Sequence, residues 1–180
     1  MLSFTYFLVL FFTIIICFIY SFHRKIRFNR FFLPFLKSAI IVGIPFILWD
    51  VAFTKMGVWW FNETYTVGIK IFNLPLEECL FFLCIPFSCT FTYFCLTRFF
   101  DLRWINGLST IIVFLTVIVC MVITLLYNDR MYTMVTGLLT TLTVVYLFFI
   151  ARVNWISQAS FIYTVLMLGF FPVNGVLTGT

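Results

Sequence analysis

Apolar side chains come in six long runs separated by short polar loops. The uncharged stretches are Met1–His23, Ser38–Trp49, Cys79–Thr97, Trp104–Asn128, Met131–Ala151 and Val153–Thr180. A helix needs about 20 mostly apolar residues to cross the hydrocarbon core of a bilayer. Five of the stretches meet that length. The second does so only if Lys37 snorkels at one end or Asp50 lies inside the other. The pattern predicts an all-α, polytopic transmembrane helix bundle of about six spans. It also makes Asp50 a candidate intramembrane acid, a placement that is costly and usually functional. The first run ends in Phe22-His23-Arg24-Lys25 with no small-residue cleavage site, and reads as a retained first helix.

Composition sharpens this picture. Apolar residues make up 64% of the chain and charged residues 9%, against roughly 45–50% and about 25% in soluble domains. So few charges cannot build a water-facing surface. The net charge of +5 would suggest nucleic acid in a soluble protein. Here the basic residues sit in short loops between spans, and no nucleic-acid partner is expected. Arg24, Lys25, Arg27, Arg30, Lys37, Arg98, Arg103 and Arg152 fall on one side, and Lys55, Lys70 and Arg130 on the other. The positive-inside rule then puts the first group in the cytoplasm and both termini outside, in the inner membrane if the cell is bacterial. The cysteines, Cys17, Cys79, Cys84, Cys89, Cys95 and Cys120, form no CxxC pair, and His23 is the single histidine. They read as small apolar residues in spans rather than as metal ligands or disulfides.

The acids are distributed unevenly. Asp50, Glu63, Glu77, Glu78 and Asp129 fall on the outer side and Asp101 on the inner. Acids contribute little to topology, so the crowding of four of them between Asp50 and Glu78 has another cause. They bracket the one long connection, Thr54–Lys70, which is rich in aromatics and punctuated by Gly57 and Gly68. Such a loop is either functional or an interfacial belt, where Trp and Tyr collect.

The run Leu74-Pro75-Leu76-Glu77-Glu78-Cys79-Leu80-Phe81-Phe82 carries the most information. Pro75 suits the first turn of a helix, and acids just after it suit the positive end of the dipole. Adjacent residues on a helix point about 100° apart, which directs at least one glutamate towards neighbouring helices. The helix start favours a charged carboxylate and an apolar setting favours the neutral acid; the sequence leaves that balance open. A carboxyl that keeps its proton could serve as a general acid, with Asp50 across the loop as partner. An enzyme acting on a lipid-soluble substrate or a proton or cation transporter would both fit. No GxGxxG, P-loop, HExxH or Asp-rich diphosphate motif occurs.

Trp49-Asp50, Gly57-Val58-Trp59, Phe61-Asn62, Tyr65, Gly68, Leu74-Pro75-Leu76-Glu77-Glu78, Phe81-Phe82 and Pro86-Phe87 follow one another in an order that resembles the lycopene cyclase domain family, the small membrane-embedded carotenoid cyclases found as paired or fused halves. The resemblance is dense from about Pro45 to Tyr93. It implies two related halves and, in the whole family pattern, seven helices. Residues 1–100 would be a first repeat of three spans with the Pro-x-Glu-Glu motif, 101–130 a connecting helix, and 131–180 an incomplete second repeat of two spans. Phe171-Pro172-Val173-Asn174-Gly175 resembles the segment before a second acidic motif, with Asn174 standing where Asp50 stands in the first half. The second motif itself would come from a longer chain, a partner cyclase subunit or another copy.

The resemblance further implies redox-neutral cyclisation of the acyclic end groups of lycopene to β-type rings, with no cofactor. Glu77 or Glu78 would protonate the terminal double bond, and the other, or Asp50, would take the final proton. Trp49, Trp59, Phe61, Tyr65, Phe81 and Phe82 would flank the cation, and Asn62 would orient by donating a hydrogen bond. The rival readings are a proton or cation transporter and a non-catalytic polyene-binding subunit. Spans four and five offer a transporter mainly threonines, Thr116, Thr124, Thr136, Thr140, Thr141 and Thr143, which can bond their own backbone. No lysine occurs inside spans three to six to carry a retinal Schiff base.

Overall fold

A computed structural model describes residues 4–178, apart from the side chains at 109, 172–174 and 176–178. Each apolar run forms a helix: α1 Thr5–Ser21, α2 Phe32–Lys55, α3 Leu76–Phe99, α4 Ser109–Leu126, α5 Met131–Val145 and α6 Ile156–Thr178. Among the described residues, the stretches long and apolar enough to cross a membrane are Phe28–Lys55, Leu76–Phe99 and Met131–Ile150. Thr5–Ser21 is a shorter apolar helix, and the fully described parts of α4 and α6, Thr110–Leu126 and Ile156–Phe171, are apolar as well. At 17 residues, α1 spans about 25 Å at 1.5 Å per residue, short of the roughly 30 Å of a hydrocarbon core. Large apolar side chains such as Ile41, Leu48, Leu126 and Leu168 point outwards, as they do where lipid rather than water is the solvent.

The chain divides into two compact units, Met1–Cys95 with Pro172–Thr180, and Leu96–Phe171. In the first, Tyr6 meets Glu78 and Thr13 meets Ser88, so α1 and α3 run in the same direction. One end of this unit is closed by a phenylalanine knot. Phe28 is 2% exposed and packs its ring against Phe31, Phe32, Phe87, Phe91 and Phe94. Edge-to-face pairs of this kind contribute about 0.5–1.5 kcal/mol each beyond the area they bury.

The second apolar run extends well past its uncharged stretch. α2 starts at Phe32 and continues through Asp50 to Lys55. It ends in a Schellman turn: Gly57 adopts φ 71°, its N–H bonds Thr54 O at 3.2 Å, and Val58 N–H bonds Phe53 O at 3.0 Å. Glycine takes this left-handed conformation without a Cβ penalty. The chain then folds back through a small antiparallel hairpin, β1 Lys70–Ile71 paired with β2 Leu74–Pro75. Pro75 is therefore not in the first turn of α3, as the motif suggested. Its fixed φ suits an extended strand end equally well, and the helix begins one residue later.

In the second unit, α4 and α5 pack as a hairpin through a small residue, Gly137, whose Cα faces Thr124. A core of Val113, Val144 and Ile156 accompanies it. α5 ends in a π-helical turn, Tyr146–Ile150. The Asn174 side chain, expected at the counterpart of the Asp50 position, lies outside the described residues.

Candidate active site

Tyr6 at the start of α1, Asp50 near the end of α2, and Glu77 and Glu78 in the first turn of α3 meet at the end of the first unit opposite the phenylalanine knot. The Tyr6 hydroxyl donates to Glu78 Oε2 at 2.5 Å. Asp50 interacts electrostatically with both Glu78 and Tyr6. Glu77 is 1% and Asp50 4% exposed, against a general rule that acids are almost never fully buried without a partner.

Each carboxyl is held by a different part of the fold. Glu77 Oε1 accepts the Val67 N–H at 2.6 Å, which clasps the long loop to the start of α3. Its Oε2 is buried with no hydrogen-bond partner among the described residues. The Trp59 indole lies beside the Asp50 carboxyl, whose Oδ2 is likewise buried without a partner. Asn73 Nδ2 donates to Val51 O at 3.2 Å, which ties the hairpin turn to α2 next to Asp50. Among the described residues no ion pair reaches these carboxyls, and no group of His, Cys, Asp or Glu is arranged to hold a metal ion. Neighbouring carboxyls without a cation repel one another when charged, and a shared proton relieves that repulsion. Such a cluster can hold a proton and pass it on.

The aromatic residues divide into two sets. Trp49, Phe53 and Trp59 form a continuous stack with centroid spacings of 5.1 and 5.0 Å. Phe82 stacks on Phe46 at 6.1 Å and meets Phe81 edge-on at 5.8 Å. These surround the helices that carry the acids. Phe61 and Trp59 also line a cavity of about 240 Å³ beneath the loop, with Trp60, Thr66, Asn73 and Pro75. None of the three carboxyls lines it. Tyr65 is 41% exposed and stands outside the cluster. Asn62 is exposed, and its Oδ1 accepts the Thr64 N–H at 3.0 Å. It therefore caps a helical turn through Oδ1, a common use of Asn in loops; the expected donor role belongs to the separate Nδ2 group. Glu63 also stays out of the cluster. It pairs with Lys70, which holds its carboxyl below the usual range.

Tyr6 is the member that sequence reasoning missed. It is one tyrosine in an apolar helix, and its partner is 72 residues away, so no local spacing marks it.

No curated protein and no solved structure matches this chain. A family model described as lycopene cyclase does match, over residues 3–96 and 129–180. The first matched segment contains Tyr6, Asp50, Glu77 and Glu78, and the two segments together cover most of the sequence. The chain belongs to the lycopene cyclase family.

Proposed function

We propose that this protein closes the end groups of lycopene into β-type rings by acid catalysis, without net oxidation or reduction. Family membership carries the coarser part, a cyclase of isomerase type acting on a carotenoid. The observation that supports the finer part is the gathering of three carboxyls and a phenol from three helices at one end of an otherwise apolar unit.

The glutamate pair supplies the proton that adds to the terminal double bond and leaves a tertiary cation. The next double bond attacks that cation, and a carbon–carbon bond closes the six-membered ring. Loss of a proton from the ring to the second glutamate or to Asp50 ends the reaction, so the product is an isomer of the substrate. Positioned general acids and bases contribute about 10²- to 10⁴-fold. Aromatic faces stabilise cations where water is absent, a role that Trp49, Trp59, Phe81 and Phe82 can fill from their places around α2 and α3. Exclusion of water also keeps the cation from being captured as an alcohol.

The same reading places all six helices in a membrane, with the 17-residue α1 accommodated by local thinning or snorkelling. The loops rich in lysine and arginine are cytoplasmic, and the acid cluster lies at the outer face. Residues 1–100 act as one repeat, 101–130 as a connector and 131–180 as part of a second.

The test is expression in a lycopene-accumulating bacterium, with pigments separated by chromatography and weighed by mass spectrometry. A mono- or bicyclic product of unchanged mass is expected, with its β-rings reduced about 100-fold or more in Glu77→Gln or Glu78→Gln. Unconverted lycopene in membranes that hold the inserted protein, both as these 180 residues and with any natural extension, would contradict the proposal.

A further inference from the structure

Glu77 and Glu78 are neighbours of the same residue type, yet the fold treats them differently. Val67 N–H occupies Glu77 Oε1 and leaves Oε2 buried without a partner. The Tyr6 hydroxyl occupies Glu78 Oε2. A phenol that donates to a carboxylate oxygen uses that oxygen as an acceptor and restricts rotation of the group. α1 is fastened to α3 a second time by Ser88 Oγ, which donates to Thr13 O at 3.0 Å, so Tyr6 is presented by a helix with its own anchor. The titratable groups that face this pair are Asp50 from α2 and Glu77 and Cys79 from α3.

We propose that Tyr6 is a positioning residue that fixes Glu78 as the proton acceptor, while Glu77 Oε2 carries the proton that starts the reaction. This rests on the cyclase reading above. The proton balance closes. Glu77 Oε2 gives its proton to the terminal double bond and becomes a carboxylate. Ring closure moves the positive charge to a ring carbon, and the proton next to it passes to Glu78 Oε1. A proton then returns from Glu78 to Glu77 before the next turnover. α1 thus belongs to the reacting machinery rather than serving only as an anchor.

The two glutamates fail in different ways on this assignment. Without Glu77 the cation never forms, and lycopene is recovered. Without a well-placed Glu78 the cation forms but loses its proton elsewhere or takes up water, so rings of other types or hydroxylated products accumulate.

Tyr6→Phe removes one oxygen and keeps the ring. Two readouts are taken on membrane-inserted protein: the infrared band of the Glu78 carboxyl, identified by its loss in Glu78→Gln, and the ratio of β-rings to other products. Tyr6→Phe is expected to move that band and to raise the share of other products at least about threefold, while Glu77→Gln lowers all products together. Ser88→Ala, which loosens the second fastening without touching Glu78, is expected to leave both readouts unchanged and so controls for a loosened α1. An unmoved band or an unchanged product ratio in Tyr6→Phe would overturn the proposal. If the wild-type protein closes no ring at all, the cyclase reading fails separately, and the band alone decides whether Tyr6 holds Glu78.

Discussion

The two units bury polar groups for different purposes. In Met1–Cys95 the buried polar side chains include Asp50 and Glu77; Glu77 accepts from the loop amide of Val67, and the neighbouring Glu78 accepts from Tyr6, 72 residues away. In Leu96–Phe171 they are Thr141 and Ser157, and the helix threonines bond the carbonyl four residues back: Thr116 to Ile112, Thr124 to Cys120 and Thr141 to Gly137. A hydroxyl satisfied within its own helix is compatible with lipid around it. A carboxyl is not, and needs a prepared site. The acids of the second unit confirm the distinction by position, since Asp101 is in a loop and bonded to Arg103. Among the described residues, the gathered carboxyls thus belong to the first unit.

Substitutions in the two units should therefore separate activity from stability. The largest effect is expected at the glutamates, where Glu77→Gln costs about 100-fold or more in rings of every type and Glu78→Gln a similar factor in β-rings while other rings or hydroxylated products accumulate, with little change in the amount of inserted protein, measured by pigment analysis beside immunodetection. Asp50→Asn should cost about tenfold, the loss of roughly 1.4 kcal/mol of transition-state stabilisation. Equal losses at Asp50 and the glutamates would instead make the three carboxyls a single unit.

Gly137→Ala reverses the pattern. Its new Cβ would meet Thr124 Oγ1 and come within 3.3 Å of Cys120 O. Overpacking of this kind costs about 1–3 kcal/mol, read as earlier thermal unfolding of the detergent-solubilised protein. Thr124→Ala in the same chain should recover most of it. Conversion per folded molecule should hold.

Thr141→Val should change stability by about 0.5 kcal/mol or less, because only a bond within one helix is lost. The smallest effect belongs to Glu63→Gln. Lys70 lowers the Glu63 carboxyl, so any contribution to stability is present above the ordinary glutamate range and is lost as the pH falls through the lowered value. Both partners are exposed and screened by salt, so unfolding curves recorded on either side of that window should nearly coincide.

Much of this arrangement is legible in the sequence. The six apolar runs each yield a helix because helical periodicity hardly matters where every face is apolar; length and loop charges suffice. Asp50 stood out because a lysine-to-aspartate interval was too short for a span, and α2 does pass through it. Glu77 and Glu78 stood out by adjacency. Other features depend on contacts that sequence spacing does not carry. Tyr6 in α1 finds Glu78 in α3, 72 residues along the chain. The Val67 contact is made by a backbone amide, which every residue type possesses except proline. Asn62 and Tyr65 join the site through the family resemblance; the loop leaves both exposed and uses Asn62 Oδ1 to cap itself. Pro75 fits a helix start and a strand end alike, and pairing with β1 decides between them.

The central claim, that an exchangeable carboxyl proton starts ring closure in the first unit, is tested most directly by a single turnover in D₂O. Protein in membranes is equilibrated with D₂O and then given less lycopene than enzyme, and the monocyclic product is weighed. The account predicts one deuterium per ring formed, and no ring in Glu77→Gln/Glu78→Gln. An unlabelled ring, or ring formation at the wild-type yield in that double variant, would contradict it.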